Sequence, residues 1–127
     1  MLRAGGGPAD AVWPGDDDAH AGHFAVYVSG AAVAVATVVP EPHPVDPQPG
    51  DFRLRGMATD ERHRGRGYAG LLTAACVEHA RGAGARRVWL QARPAAVGVY
   101  SRAGFVWETE EFEVPGLGPH IRMSRKC

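Results

Sequence analysis

Cysteine is scarce: Cys76 and Cys127 are the only two in 127 residues. Neither their number nor their placement builds a disulfide framework or a metal site. His20, His23, His43, His63 and His79 share no metal-ligand spacing, so no metal is expected. No apolar run approaches the ~18 residues of a bilayer-spanning helix, and no basic stretch leads into an apolar one at the N-terminus, as a secretory leader would. A cytoplasmic protein with no membrane partner is the expectation. Net charge is absent too, since 14 Lys and Arg balance 14 Asp and Glu. That argues against a nucleic-acid partner, which calls for a basic excess.

What remains is a globular composition, 45% hydrophobic, on a chain long enough for one domain with a modest core. Residues 1–127 are therefore read as a single domain, with 1–22 a poorly defined N-terminal segment. The charge is uneven. Asp16, Asp17 and Asp18 gather near the N-terminus and the arginines between Arg53 and Arg102. A local positive field in a neutral protein suits a small anion better than a polymer. The aspartate run reads as a solvated loop, with attraction of a cationic amine as the alternative.

Residues 1–22, rich in Gly, Pro, Ala and Asp, read as loop apart from one helical turn at 9–12. Residues 23–28 and 31–39 read as a hairpin about Ser29-Gly30. The proline-rich stretch 40–50 is an extended loop. A third strand spans 51–59, with Phe52 and Leu54 on one face and a break, a candidate bulge, near Gly56-Met57. A helix begins at Tyr68, with Leu71, Leu72, Ala75, Cys76 and His79 on one face, and Gly82 with Gly84 ends it. Residues 87–92 read as a short buried strand holding Trp89. Pro94 suits the start of a second helix and Gly104 its C-terminal cap. Strands at 105–114 and 120–124 flank a turn at 115–119. The strand–helix–strand centre is a βαβ unit, which makes its two strands parallel neighbours.

The segment Arg62-His63-Arg64-Gly65-Arg66-Gly67-Tyr68-Ala69-Gly70 carries the most chemistry. Glycines give the sharp turn, and a helix start offers unpaired N–H groups to an anion. Gly65-x-Gly67-x-x-Gly70 spells the dinucleotide fingerprint, a weak match by itself. The acid expected about 20 residues on is missing, although Arg93 stands there to meet a 2′-phosphate, so a nicotinamide-dinucleotide-binding protein stays as an alternative. No Gly-Lys-Ser/Thr follows, which excludes a triphosphate P-loop.

Arg62-x-x-Gly65-x-Gly67 resembles the motif Arg/Gln-x-x-Gly-x-Gly/Ala of the GNAT superfamily of N-acetyltransferases. An apolar strand precedes the turn and a long helix follows it, as in that family. Further on, Ala96, Tyr100, Gly104 and Phe105 fall in register with a second family pattern, while Arg93 stands where many members have Asn. The ending Gly118-Pro119-His120-Ile121-x-Met123 is similar to a subgroup of small bacterial members.

The resemblance implies an α/β (α+β) fold with a mixed, mostly antiparallel, splayed sheet and flanking helices. It implies an enzyme that moves an acetyl group from acetyl-CoA, its co-substrate, to a primary amine of a small molecule or peptide. It further implies that the amides of Arg64, Gly65, Arg66, Gly67, Tyr68 and Ala69 cradle the pyrophosphate, with charge from Arg62, Arg64 and Arg66. Arg93 is a further cofactor contact. Backbone groups of Met57, Ala58 and Thr59 would pair with the pantetheine arm. Tyr100 is the candidate general acid, against a plain core residue. His120 is a candidate base, against a structural strand histidine, and Glu41, Glu111 and Glu113 are others. The N-terminal third matches poorly, so N-terminal elements of the family are expected to be missing. A non-catalytic acyl-CoA-binding module is the main alternative, and a sheet edge left short would favour a homodimer.

Overall fold

Period-two alternation of apolar residues builds most of this structure, a computed structural model that describes residues 2–4 and 18–127. The strands are β1 (Leu2–Ala4), β2 (Gly22–Val28), β3 (Ala31–Pro40), β4 (Asp51–Thr59), β5 (Arg87–Ala92), β6 (Val106–Trp107), β7 (Phe112–Val114) and β8 (Gly118–Lys126). They form one sheet in the order β1-β2-β3-β4-β5-β8-β6, with β7 paired to β8 off that path. Every pair is antiparallel except β4–β5. The β2–β3 hairpin turns at Ser29 and Gly30, whose φ values of 51° and 82° are those of a primed two-residue turn.

Helix α1 (Tyr68–Gly82) carries the chain from β4 back to β5, and a 3-10 turn, Pro94–Ala96, leads into α2 (Val97–Arg102). Both helices pack on one face of the sheet. The main core lies there: Val26, Ala36, Val38, Phe52, Leu54, Val88, Leu90, Ile121 and Met123 from the strands meet Leu72, Cys76, Val77, Ala80, Tyr100 and Phe105. Burying such side chains contributes roughly 1.5–3 kcal/mol each. Ala25, Val39 and Trp89 are equally buried but belong to the opposite face.

The hairpin, the bounds of β4 and β5, the parallel βαβ centre and the mixed, mostly antiparallel sheet agree with the sequence reading. Four details differ. Leu2–Ala4, read as loop, is a strand against β2. The expected strand 105–114 is broken in two, because Thr109 substitutes for backbone in the ladder: its Oγ1 accepts from the Arg122 amide at 3.0 Å, beside a Glu108 amide bond to Arg122 O at 2.8 Å. The last strand is longer than 120–124. The buried stripe of α1 is Leu72, Thr73, Cys76, Val77 and Ala80, whereas Leu71 is 53% exposed. Thr73 joins the core because its hydroxyl donates to Ala69 O at 2.7 Å, leaving no unpaired polar group. The helical turn expected at 9–12, and Asp16 and Asp17, lie outside the described residues.

The proline-rich loop is tied down by one carboxylate. Asp51, at the start of β4, accepts from Arg87 Nε and Nη2, both at 2.9 Å, and from the amides of His43 (3.1 Å) and Gln48 (2.8 Å). Burial by itself would raise the Asp51 carboxyl. The bonds from Arg87, Gln48 and His43 outweigh it and leave the group below its ordinary 3.8. A lowered folded-state pKa stabilises the fold above the ordinary value, and the contribution disappears as pH falls through the folded one. Asp51→Asn is expected to cost about 2–4 kcal/mol at neutral pH. In urea unfolding, its gap to wild type should stay constant down to about pH 5 and shrink below 3.8.

Candidate active site

The site grows from an incomplete strand pairing. β4 and β5 share only the rungs Asp51↔Arg87, Phe52↔Val88 and Arg53↔Trp89. Beyond them β4 continues to Thr59 and β5 to Ala92 without pairing, so the sheet opens as a wedge at the C-terminal ends of both strands. β4 stays attached to β3 on its other side, through Val35↔Ala58 and Ala34↔Thr59. Between Thr37↔Arg55 and Val35↔Ala58 it gains one residue, a bulge at the expected Gly56-Met57 position, with Gly56 at φ 65°. Met57, Ala58 and Thr59 thus line one wall of the wedge.

The glycine turn stands at the end of that wall. Asp60 anchors it: its amide donates to Val33 O at 2.7 Å, and its Oδ1 accepts from the Arg62 amide at 3.3 Å. That bond, with the nearby Arg62 and His63 charges, holds the Asp60 carboxyl below its ordinary value. A 3-10 turn, Glu61–His63, then leads to Gly65 and Gly67, both at φ 79°, and a Cβ on either would meet nothing within 4 Å. No neighbour crowds either position, so the positive φ is what calls for glycine there. Gly67 caps α1 without any side-chain bond, and the first intrahelical bond is Leu71 N–H to Gly67 O at 3.1 Å. The amides of Tyr68, Ala69 and Gly70 come before it and have no helical acceptor. No acidic residue occupies the first turn, and Arg62, Arg64 and Arg66 are exposed around it. Open backbone, donor amides and cations in one place fit a pyrophosphate.

On the helix side of the sheet, Tyr100 of α2 is 5% exposed. Its ring meets Phe105 edge-on at 5.9 Å between centroids. Burial, and secondarily the neighbouring Cys76, pushes its hydroxyl up to about 12. Burial alone puts the Cys76 thiol at about 12 as well.

On the opposite face, strand alternation groups Arg53 and Arg55 of β4, Trp89 and Gln91 of β5, and His120 and Arg122 of β8. Gln91 faces Arg122 across a rung. Arg53 lies over the Trp89 ring at 4.8 Å, and Glu41 accepts from Arg53 Nη1 at 3.0 Å and Arg55 Nη1 at 3.4 Å. His120 is buried, with Nδ1 3.0 Å from Gly118 O. A carbonyl only accepts, so Nδ1 carries the hydrogen, and in the neutral ring Nε2 carries the lone pair. Arg93 is exposed where β5 enters the 3-10 turn.

The model of the acetyltransferase (GNAT) family matches residues 6–105. The chain belongs to the acetyltransferase (GNAT) family. It is 32% identical over 101 residues to the uncharacterised N-acetyltransferase YitI of Bacillus subtilis, covering 80% of this chain and 68% of that one. Among solved structures, Escherichia coli ElaA superposes with a TM-score of 0.74 at 23% identity, over 93% of this chain and 76% of that one. A Bacillus subtilis acetyltransferase in complex with CoA gives 0.71 at 13% identity, over 99% and 97%. As a GNAT member the chain is an acyl-CoA-dependent N-acyltransferase, and acetyl-CoA is its co-substrate. The glycine turn is therefore read with an acyl-CoA rather than a dinucleotide.

The expected site residues divide between the two faces of the sheet, Tyr100 with the helices and His120, itself buried, on the opposite face. Two groups escaped the sequence reading. One is the basic face of Arg53, Arg55, Gln91 and Arg122, whose signal is a polar residue between apolar ones in each of Phe52-Arg53-Leu54-Arg55, Leu90-Gln91-Ala92 and Ile121-Arg122-Met123. The other is His43, 5% exposed. Its Nδ1 accepts from the Val45 and Asp46 amides at 3.2 and 3.0 Å, so its Nε2 donates to Glu108 at 2.9 Å. Nothing local in a proline-rich loop marks a partner 65 residues away.

Cys76 is fully buried beside Tyr100, while Cys127 is exposed, and neither is in a disulfide. A chromogenic thiol reagent should find one accessible thiol in the native protein, which Cys127→Ser removes, and release the second only on unfolding.

Proposed function

We propose that this chain transfers the acetyl group of acetyl-CoA to a primary amine of a small molecule or peptide. The observation that carries the reading is the open β4–β5 wedge, with an anion-binding glycine turn at its mouth and a buried phenol on one side. The amides of residues 64–69 and the guanidinium groups of Arg62, Arg64 and Arg66 hold the pyrophosphate, and the unpaired edge of Met57, Ala58 and Thr59 binds the pantetheine arm as an added strand would. Arg93 adds charge at the far wall. Acetyl-CoA supplies the thioester, whose C–S bond breaks as the C–N bond of the amide forms.

Tyr100 donates its proton to the departing sulfur. With its pKa raised to about 12 the phenol is protonated throughout the working range. In this reading His120 Nε2 takes the amine proton. Glu41 is a poorer base, because it is committed to two arginines, and Glu111 and Glu113 are exposed on the surface. A cytoplasmic setting belongs to this reading and is supported by the two unpaired thiols. A homodimer would cover Val106 and Trp107, 63% and 56% exposed on the short edge strand β6, and sedimentation velocity reads it directly.

Thiol release from acetyl-CoA with an amine panel tests the proposal, with CoA-induced thermal stabilisation as the binding control. Tyr100→Phe is expected to lower kcat by roughly 10²–10⁴-fold while the CoA-induced shift in Tm persists. Unchanged turnover would remove Tyr100 from the chemistry. Stabilisation by CoA without thiol release for any amine would favour the non-catalytic binder. The kcat/KM profile should show no descending limb from Tyr100 up to pH ~10, since its proton is retained there.

A further inference from the structure

On the sheet face opposite the helices, one arginine lacks a counter-ion. Arg53 and Arg55 both bond Glu41. Arg122 differs: among the described residues no carboxylate lies within ion-pairing reach of its guanidinium. Its Nε is buried without a hydrogen-bond partner, a feature that Arg53 Nε shares, so the missing carboxylate is what sets Arg122 apart. The ring of Phe112, 5.4 Å from the guanidinium carbon, restrains that group from one side. Gln91 sits across the rung. Partial burial of a guanidinium costs free energy that a planar, two-oxygen anion can offset, and its fixed fork matches a carboxylate in both shape and charge.

Arg122 also stands at the right place. β5 has left β4 after Trp89, so Gln91 borders the wedge, and Arg122 is its rung partner one strand further on, on the same face. His120 is two residues away on the same strand face, about 7 Å along β8. An amine bound at His120 Nε2 would carry its other functional group within a few bonds of Arg122.

We infer that the acceptor is an amino acid or similar small amino-carboxylate, whose carboxylate is bound by Arg122 while its amine faces the thioester. The inference rests on the acetyl-transfer reading above and specifies its substrate class. The carboxylate is unchanged in the reaction: the nitrogen gains the acetyl group and loses a proton, and the sulfur gains one. The same positive face disfavours di- and polyamines, which bring a second cation to it.

The test compares matched acceptors, each an amino acid and the amine left by removing its α-carboxylate, such as leucine with isoamylamine, phenylalanine with phenethylamine and lysine with cadaverine. The acids should be acetylated with kcat/KM at least ~10-fold above their partners. Arg122→Gln should raise KM for the acid ~10-fold or more with a smaller change in kcat, and leave KM for acetyl-CoA and the CoA-induced Tm shift in place. Arg122→Lys should recover part of the loss. Equal or better use of the decarboxylated amines, or an acid-to-amine preference untouched by Arg122→Gln, overturns the inference while the transferase reading stands. If CoA binds but no amine of either kind is acetylated, it is the transferase reading that fails. Calorimetric titration of the CoA complex with the amino acids then decides the carboxylate site, and absence of saturable, Arg122-dependent binding overturns it.

Discussion

The short parallel pairing of β4 and β5 is the constraint on which the rest of this structure depends. At the closed end, Asp51 and Arg87 meet as a two-pronged ion pair across the first rung, and the same carboxylate fastens the proline-rich loop through two amides. At the third rung Arg53 lies over Trp89, filling the exposed side of the last paired position. Continuing the ladder would gain about 1 kcal/mol per hydrogen bond. The extra residue at Gly56-Met57 turns β4 aside instead, while its bonds to β3 continue on the other edge. The fold thus leaves a row of strand-edge groups unpaired where an extended ligand can use them.

That geometry divides the chemistry between two faces. The helix side is apolar and holds a phenol whose proton is kept by burial. The opposite side of the sheet carries the arginines of β4 and β8 and a buried histidine whose Nδ1 bonds a backbone carbonyl. The two groups thus stand in different surroundings, the phenol among apolar side chains and the imidazole among polar ones.

Much of this was legible in the sequence because its signals are local. Positive-φ glycines at 65 and 67, the bulge at Gly56-Met57 and the alternation of β4 and β5 are each encoded within a few residues. The helix register was missed because Thr73 looks polar until its hydroxyl is seen to be satisfied within its own helix. The broken strand after Phe105 was missed for the converse reason, a side chain standing in for backbone in the ladder. The His43–Glu108 contact joins two loops distant in the chain, and no local pattern encodes it.

The basic face shows where reading by period stops short. Arg53, Arg55, Gln91 and Arg122 occupy the out-of-phase positions of strands whose in-phase positions build the core. Taken one strand at a time, they are ordinary outward-facing polar residues. They become a constellation only when the strand order places β8 beside β5 and β5 beside β4. Glu41, arriving from the loop that Asp51 anchors, answers the two arginines of β4 and does not answer the one on β8. The same clamp that holds the wedge shut at one end thereby sets the charge balance at the other. It brings a carboxylate to β4 and none to β8, two strands away, so the difference between the two strands follows from topology rather than composition.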